Sequence, residues 1–294
     1  MNTLKEYEAR LLDATDVAGA YGFCQDLARR HYENFPVASR LMPRRLRRHV
    51  AALYAFARIA DDFSDEPEYE GVRRERLLDW RRQLSEIGSK PPTHPAFLAL
   101  GATLRELDLP KAPFDDLLSA FLQDTEKKRY ATFAEVADYC RRSANPVGRI
   151  VLMIHGYRDT ELFRLSDAIC TALQLANFWQ DVSVDLKKDR VYIPEEDFRT
   201  HGYSEADLRM GVCNERFKSL MRFEVSRTRA LFEEGRALPG RLSWPLSLEI
   251  RLTRLGGMQI LKLIRRLDFD TIRTRPVLTK RDWIPLAARA LIGG

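Results

Sequence analysis

Along most of the chain, apolar residues recur at three- and four-residue spacing, in segments rich in Leu, Ala, Arg and Glu. Strict alternation over strand length is nearly missing. The pattern predicts helices over 17–32, 43–64, 72–87, 95–107, 113–128, 133–144, 146–156, 160–186, 205–211, 214–237, 243–268 and 280–291. The prolines fall mostly between these segments or at their starts, where a helix tolerates them. Thr132-Phe-Ala-Glu135 has the form of a capping box, and Ser204 ahead of Glu205 and Asp207 marks a second helix start. Gly88–Thr93 is a turn-rich break, and Lys187–Tyr203 reads as a longer loop. Neither has the composition of a flexible linker, and no repeat of fixed length is visible. The expectation is one all-α domain over residues 1–294.

Two places depart from the ordinary amphipathic pattern. Val50–Ala60 holds ten apolar residues and one charge, Arg58, and then runs into Asp61, Asp62, Asp65 and Glu66. Ala168–Gln180 holds no charge at all and then runs into Asp181 and Asp185, with Asn177 one turn earlier. On a helix, Asp61 and Asp65 share a face, as do Asp181 and Asp185. Like charges so spaced repel by roughly 0.2–0.5 kcal/mol when exposed, and by more when desolvated. A helix C-terminus adds to the cost. One such pair alone reads as a solvated helix end. Two pairs, each following an apolar run, point to a hard divalent cation. Mg²⁺ takes oxygen ligands, keeps several waters, and commonly uses one or two carboxylates together with substrate phosphate. A di-iron centre would want Glu-x-x-His, which is missing.

Composition narrows the field further. With 294 residues, 45% apolar and 31% charged, the chain can bury a sizeable core and is not disordered. The longest uncharged stretch, Pro91–Leu104, is short and broken by proline, so no membrane-spanning helix is expected. The N-terminus MNTLKEYEAR has no apolar signal core, which predicts a cytoplasmic protein. Cys24, Cys140, Cys170 and Cys213 form no CxxC pair and read as reduced, mostly core thiols. HExxH, Walker A, GxGxxG and GxSxG are all absent. The charge is unevenly placed. Arg241–Gly294 carries 11 Lys/Arg and 4 Asp/Glu, so it accounts for more than the chain's whole net charge of +6. A solvated helix face is the plain explanation. Attraction to an anionic membrane surface is the functional one, with peripheral attachment at the inner face. No nucleic-acid motif accompanies the charge.

The ordered motifs resemble those of the squalene/phytoene synthase family, from about Tyr21 to Asp270. His31–Ser39 with Leu41-Met-Pro43 is similar to the family's N-terminal segment, and Tyr54–Asp65 to its first aspartate motif. Arg129-Tyr130, Tyr139-Cys140 and Val147-Gly148 resemble its central motif. Gln174–Asp185, followed by Asp189–Pro194, resembles its second aspartate motif and flap. The resemblance implies the all-α class I isoprenoid synthase fold around a deep cavity, prenyl diphosphate substrates and Mg²⁺-assisted loss of diphosphate. It implies Asp61, Asp62, Asp65, Asn177, Asp181 and Asp185 as metal ligands. Arg58, Arg129, Lys188 and Arg190 would hold the diphosphate. Phe35, Tyr54, Asn145, Phe178 and Gln180 would meet the substrate, and Phe56 and Trp179 would join the cavity wall or simply pack the core. Tyr130 would be catalytic, a candidate together with Asn145 for directing water to the carbocation.

Within the family, His31–Ser39, Asp61–Glu66, Ser143–Arg149 and Asn177–Asp181 are most similar to the hydroxysqualene synthases of bacterial hopanoid pathways. That implies presqualene diphosphate as substrate, coupling to a presqualene diphosphate synthase, and no need for NADPH. One departure agrees with it. Many head-to-head synthases carry Arg before the first acid of the second motif, where this chain has Gln180. Losing that cation should cost most in a site that must hold two diphosphates. The rival readings are a squalene, dehydrosqualene or phytoene synthase, and a silent relative acting as a membrane scaffold. A scaffold has no reason to keep the paired acids.

Overall fold

Stretches of Leu, Ala, Arg and Glu with apolar residues on one side can satisfy their backbone polar groups internally and bury one stripe, and this chain does so almost throughout. A computed structural model describes residues 16–30 and 42–292, and among them the regular elements are helices. The longer ones are α1 (Val17–Arg30), α2 (Arg44–Asp65), α3 (Arg73–Glu86), α4 (Pro95–Glu106), α5 (Ala112–Asp124), α6 (Phe133–Ser143), α7 (Asn145–Ile154) and α8 (Thr160–Gln180). Three short helices follow: α9 (Val182–Lys187), α10 (Glu195–Thr200) and α11 (Glu205–Arg209). The chain closes with α12 (Glu215–Glu234), α13 (Leu246–Arg266) and α14 (Lys280–Ile292). The all-α expectation holds, and most helix limits fall within a few residues of the pattern-based ones.

The capping signals act as expected. The Thr132 hydroxyl accepts from the Glu135 N–H at 3.4 Å, and the Ser204 hydroxyl from the Asp207 N–H at 3.1 Å. Glu135 reaches back to the Ala131 N–H, one residue before the cap. Asp159 and Asn214 cap α8 and α12 in the same way. Two elements differ from the expectation. The segment read as a loop after Lys187 contains α10, opened by Pro194 and carrying Glu195, Glu196 and Asp197 in its first turn, where the helix dipole favours them. The helix expected over 160–186 ends at Gln180 and restarts at Val182.

By its contacts the chain divides into two compact units, where the sequence reads as one domain. The first comprises residues 1–126 and 149–158, the second 127–148 and 159–294. In the first, α2 packs against α1, α3, α4 and α5. Its core is aromatic: Phe56 meets Trp80, Phe97 and Phe114 with ring centroids 5.5–6.2 Å apart. The Trp80 indole donates to the Phe56 carbonyl at 3.3 Å. In the second, α8 is the central helix and packs on α6, α12, α13 and the 3₁₀ turn Gly235–Arg241. The close approaches there require glycine. A Cβ on Gly148 would sit 2.4 Å from the Ser166 hydroxyl and 2.5 Å from the Cys170 sulfur, and one on Gly257 2.4 Å from the Phe232 ring. Trp179 of α8 is fully buried and donates to the Thr228 hydroxyl of α12 at 2.8 Å. Cys24 and Cys140 are buried and all four cysteines are free; burial pushes the first two thiols up to about 12.

Candidate active site

The first acid motif ends α2. Ala51, Ala52, Ala55, Phe56, Ile59 and Ala60 bury one side of the helix, so the acids gather only at its last turns. Tyr54, Arg58, Asp61 and Asp65 lie at successive turns of one face. Asp61 and Asp65 are half-buried, whereas Asp62 is enclosed. The Arg58 Nη2 lies 2.5 Å from Asp62 Oδ1, and the same guanidinium is 3.6 Å from Asp61 and 3.7 Å from Glu66. Burial pushes the Asp62 carboxyl up to about 7; Arg58 pulls it back, while Asp61 and Glu66 add like charge. Burial also opposes the charge on Arg58, but Asp62 and Asp61 outweigh it and the guanidinium is held more firmly as a cation. Asp62, expected as a metal ligand, is therefore turned onto Arg58. Arg58, expected to hold diphosphate, already has this partner.

The second motif lies in the second unit at the α8–α9 break. Asp181 leaves helical geometry, yet its N–H still bonds the Asn177 carbonyl and its carbonyl accepts from Asp185, each at 2.9 Å. The one-turn spacing of Asn177, Asp181 and Asp185 thus survives the break. The Asn177 amide donates to Asp181 Oδ2 at 2.9 Å. Arg275, 94 residues away in sequence, grips both oxygens of the same carboxylate, with Nη2 3.2 Å from Oδ2. Its charge is also favoured by Asp185. Gln180 explains how Arg275 arrives there: its side-chain amide donates to the Pro276 carbonyl at 2.7 Å, tying the segment after α13 to the motif. Just beyond, Asp189 turns the chain at φ 58, and the Lys188 and Arg190 N–H groups both bond the Asp185 carbonyl at 2.9 Å.

An aromatic cluster accompanies this motif. Backbone bonds from Val191 to Lys128 and from Glu195 to Tyr130 join the two flanking segments. They bring Tyr130, Tyr139, Phe178 and Tyr192 together; Phe178 and Tyr192 stack with centroids 3.7 Å apart and planes 6° from parallel. Tyr130 is 1% exposed, stacked on Tyr192, with Lys127 over its ring. Asn145 is buried and accepts from the Thr171 hydroxyl at 2.9 Å. Phe56 and Trp179 are both core residues. Phe35 lies outside the described residues, with the rest of the His31–Ser39 segment.

Arg129 has a different place from the one expected. Its guanidinium forms a bidentate pair with Glu205 at 2.8 and 2.9 Å, and bonds the side chain of Asp189 at 2.7 Å, the Asp189 carbonyl, and Lys128 O at 2.7 Å. Arg209 joins the cluster through the same two acids, and together the two arginines hold Asp189 far below the usual carboxylate range. Arg129 thus clamps the flap with its donors already in use. Sequence reasoning also missed Arg275, whose one trace was the unbalanced charge of the C-terminal fifth, and the buried Glu224, which carries no motif at all.

Asp61 and Asp65 in the first unit, and Asp181 and Asp185 in the second, each offer carboxylate oxygen, as a hard cation requires. Among the described residues, no three Asp, Glu, His or Cys side chains are gathered to hold a metal by themselves. Each pair by itself fits an open site, in which water and phosphate would complete the shell, and not a closed protein cage.

Among the described residues the fold is helical, with two i, i+4 acid pairs, each met by a guanidinium, and an aromatic cluster beside one of them. Residues 28–282 match the family model for squalene/phytoene synthase. The chain is 33% identical over 249 residues to the hydroxysqualene synthase of Rhodopseudomonas palustris, covering 83% of this chain and 84% of that one. It is 32% identical over 288 residues to the phytoene synthase of Arthrospira platensis, covering 91% and 92%. The crystal structure of squalene synthase HpnC from Alicyclobacillus acidocaldarius superposes with a TM-score of 0.82 at 42% identity, over 86% of this chain and 95% of that one. The chain belongs to the squalene/phytoene synthase family, enzymes that act on prenyl diphosphates head to head.

Proposed function

We propose that this protein converts presqualene diphosphate and water to hydroxysqualene and diphosphate. The observation that carries the reading is Gln180. Its amide is spent on the Pro276 carbonyl, so the position before Asp181 supplies no cation, and the guanidinium on that carboxylate comes from Arg275. A motif whose guanidinium is already paired with Asp181 leaves less free positive charge for phosphate, which suits one diphosphate better than two. The similarity to hydroxysqualene synthases supports it.

Asp61 and Asp65 on one helix, and Asp181 and Asp185 on another, are the residues that would hold Mg²⁺. When bound, it would supply the positive charge that a departing diphosphate needs. Asn177 orients Asp181 through its amide, and Asp62 orients Arg58. The C–O bond breaks with both electrons leaving on diphosphate, and a cyclopropylcarbinyl cation rearranges against apolar and aromatic walls. Phe178, Tyr192 and Tyr139 pack as an aromatic wall that would exclude stray water. Water then adds to the rearranged cation and loses a proton, giving the alcohol. Nothing is reduced, so NADPH has no part. The hydrocarbon chains of substrate and product set the reaction at a bilayer surface, met peripherally on its anionic inner face. A presqualene diphosphate synthase would supply the substrate.

A second reading, condensation of two prenyl diphosphates to phytoene, is favoured by the 32% identity to a phytoene synthase over 91% of the chain. Product analysis separates the two. Given presqualene diphosphate and Mg²⁺ without NADPH, in water labelled with heavy oxygen, the expected product is labelled hydroxysqualene. Unlabelled alcohol, squalene made only with NADPH, or phytoene from geranylgeranyl diphosphate would overturn the proposal.

A further inference from the structure

The second unit holds a groove of about 600 Å³ lined from α12, α13, α14 and the turn at Arg236. It shares no residue with the acid motif. Arg229, Arg236, Arg254, Arg265, Arg266 and Arg289 line it together with Lys262, and among its lining residues Glu233 is the one acid. A solvated helix face spreads its charges and mixes their signs. Here seven cations converge on one hollow. Glu233 lies only at the fringe of pairing, 3.9 Å from Arg236 and 4.0 Å from Arg254.

Arg254 is the anomaly. It is 5% exposed, and its buried Nε finds no hydrogen-bond partner. Burial pulls its pKa down, and the cations Arg236, Arg289 and Arg251 pull the same way against Glu233. A buried guanidinium with an idle donor and like charges around it is costly unless an anion completes it. Such a convergent set of guanidinium forks suits phosphate oxygens.

The neighbouring surface says which phosphate. The outer face of α14 is exposed at Ile284, Ala287, Ala288 and Leu291, spaced one face apart along the helix. Ile284 and Leu291 are 73% and 71% exposed. Arg251 donates to the Ala290 carbonyl at 2.6 Å, fixing the end of α14 to α13 beside Arg289. An apolar stripe next to a cationic groove matches a bilayer boundary, where acyl chains meet charged headgroups.

We propose that this groove binds the phosphate of an anionic phospholipid headgroup, with Ile284 and Leu291 set into the adjoining acyl boundary. The proposal rests on the peripheral attachment named above and assigns it a site. It narrows the expectation that the basic C-terminal stretch Arg241–Gly294 is drawn to a membrane surface: Leu252, Leu255, Ile260, Leu261 and Ile264 bury one side of α13 in the core, and Arg254 goes in with them.

The test is co-sedimentation of the full chain with vesicles of phosphatidylcholine alone and of phosphatidylcholine with phosphatidylglycerol. The expected result is binding to the second at low salt and little to the first. Arg265→Gln/Arg266→Gln, both exposed, should weaken it by about thirtyfold, at roughly fivefold for each charge lost. Arg254→Gln should weaken it as well, with helical circular dichroism checking its fold; the surface pair stands as a test whether or not that variant folds. Turnover on detergent-solubilised substrate should be unchanged in the surface pair. If wild-type protein ignores phosphatidylglycerol, the peripheral attachment itself falls. If it binds and the Arg265/Arg266 variant binds equally, the attachment stands and the groove is overturned. If inorganic phosphate at matched ionic strength competes the vesicles off completely, the groove is a free-anion site and the lipid assignment is overturned.

Discussion

The two acid motifs look alike as text and differ in how their charge is met. In the first, the counterion is Arg58, one turn before Asp62 on the same helix, and the pair is largely buried. In the second, the counterion of Asp181 is Arg275, 94 residues away in sequence, with its neighbour Pro276 held by a hydrogen bond from the Gln180 side-chain amide. One motif is neutralised by its own helix, the other by tertiary structure. The first is thus set as soon as α2 forms, while the second is complete only when the segment after α13 docks. The same spacing of aspartates therefore meets its cation in different places: at the first motif the enclosed Asp62 holds the guanidinium beside two half-buried carboxylates, and at the second the guanidinium lies on Asp181, a member of the i, i+4 pair itself.

The sharpest way to break this comparison is turnover. Asp61→Ala and Asp181→Ala should each lower kcat by about a thousandfold or more, roughly 4 kcal/mol of barrier, with the helical signal retained. Asp62→Asn should cost far less turnover. Equal loss in all three would show that Asp62 works with the others, and its burial on Arg58 would then not set it apart.

Stability is the next arm. Arg58→Met strands a buried carboxylate, which in the worst case costs about 3–5 kcal/mol. Asp62 can escape by taking a proton, so a loss of roughly 2 kcal/mol is expected by urea denaturation. Arg275→Met removes a half-exposed partner and should change stability by about 1 kcal/mol or less. The reverse order would mean that the distant counterion, not the local one, holds the fold.

A more deeply buried carboxylate gives the scale for both. Glu224 on α12 is fully buried, near Asp197 and with Arg227 at 3.4 Å. Burial pushes it up to about 9, Arg227 opposing and Asp197 assisting. The folded state therefore keeps a proton that the unfolded state gives up above its ordinary pKa of 4.5. The stability this confers is whole below pH 4.5 and is lost as pH rises toward 9. The slope reaches at most about 1.4 kcal/mol per pH unit. Denaturation midpoints between pH 5 and 8 should fall with pH in the wild type and flatten in Glu224→Gln. An unchanged slope in that variant would remove Glu224 from the account.

Much of this was legible in advance, for identifiable reasons. Helices are set by local periodicity and caps, so α2, α8 and α12 are readable from residues within one or two turns. Arg58 is readable because a helix fixes what lies one turn away. The break at Asp181 was not, because its backbone keeps the hydrogen bonds to Asn177 and Asp185 while its side chain answers to Arg275. Helix α10 was missed because Pro194 and three acids look like loop composition, although both are also N-terminal signals. Arg129 looked like a diphosphate donor beside a motif tyrosine; Glu205 and Asp189, 76 and 60 residues on, claim it instead. The C-terminal excess of charge was visible as a sum. What no sum contains is direction: Arg254 faces inward, and the apolar edge of α14 faces out.

The burial of Trp179 has an optical consequence. Each unit encloses one indole almost completely, Trp80 in the first and Trp179 in the second, whereas Trp244 is 73% exposed. Enclosed indoles emit to the blue of hydrated ones, and conservative replacement of Trp80, Trp244 and the half-buried Trp283 would leave Trp179 as the remaining indole of four. Trp179 stands one residue from Gln180 and two from Asp181, its N–H fixed to Thr228. Any rearrangement that shifts the hold of Arg275 on that carboxylate should alter the field around this one ring. The second acid motif thus carries a built-in fluorophore that can report on it without a label.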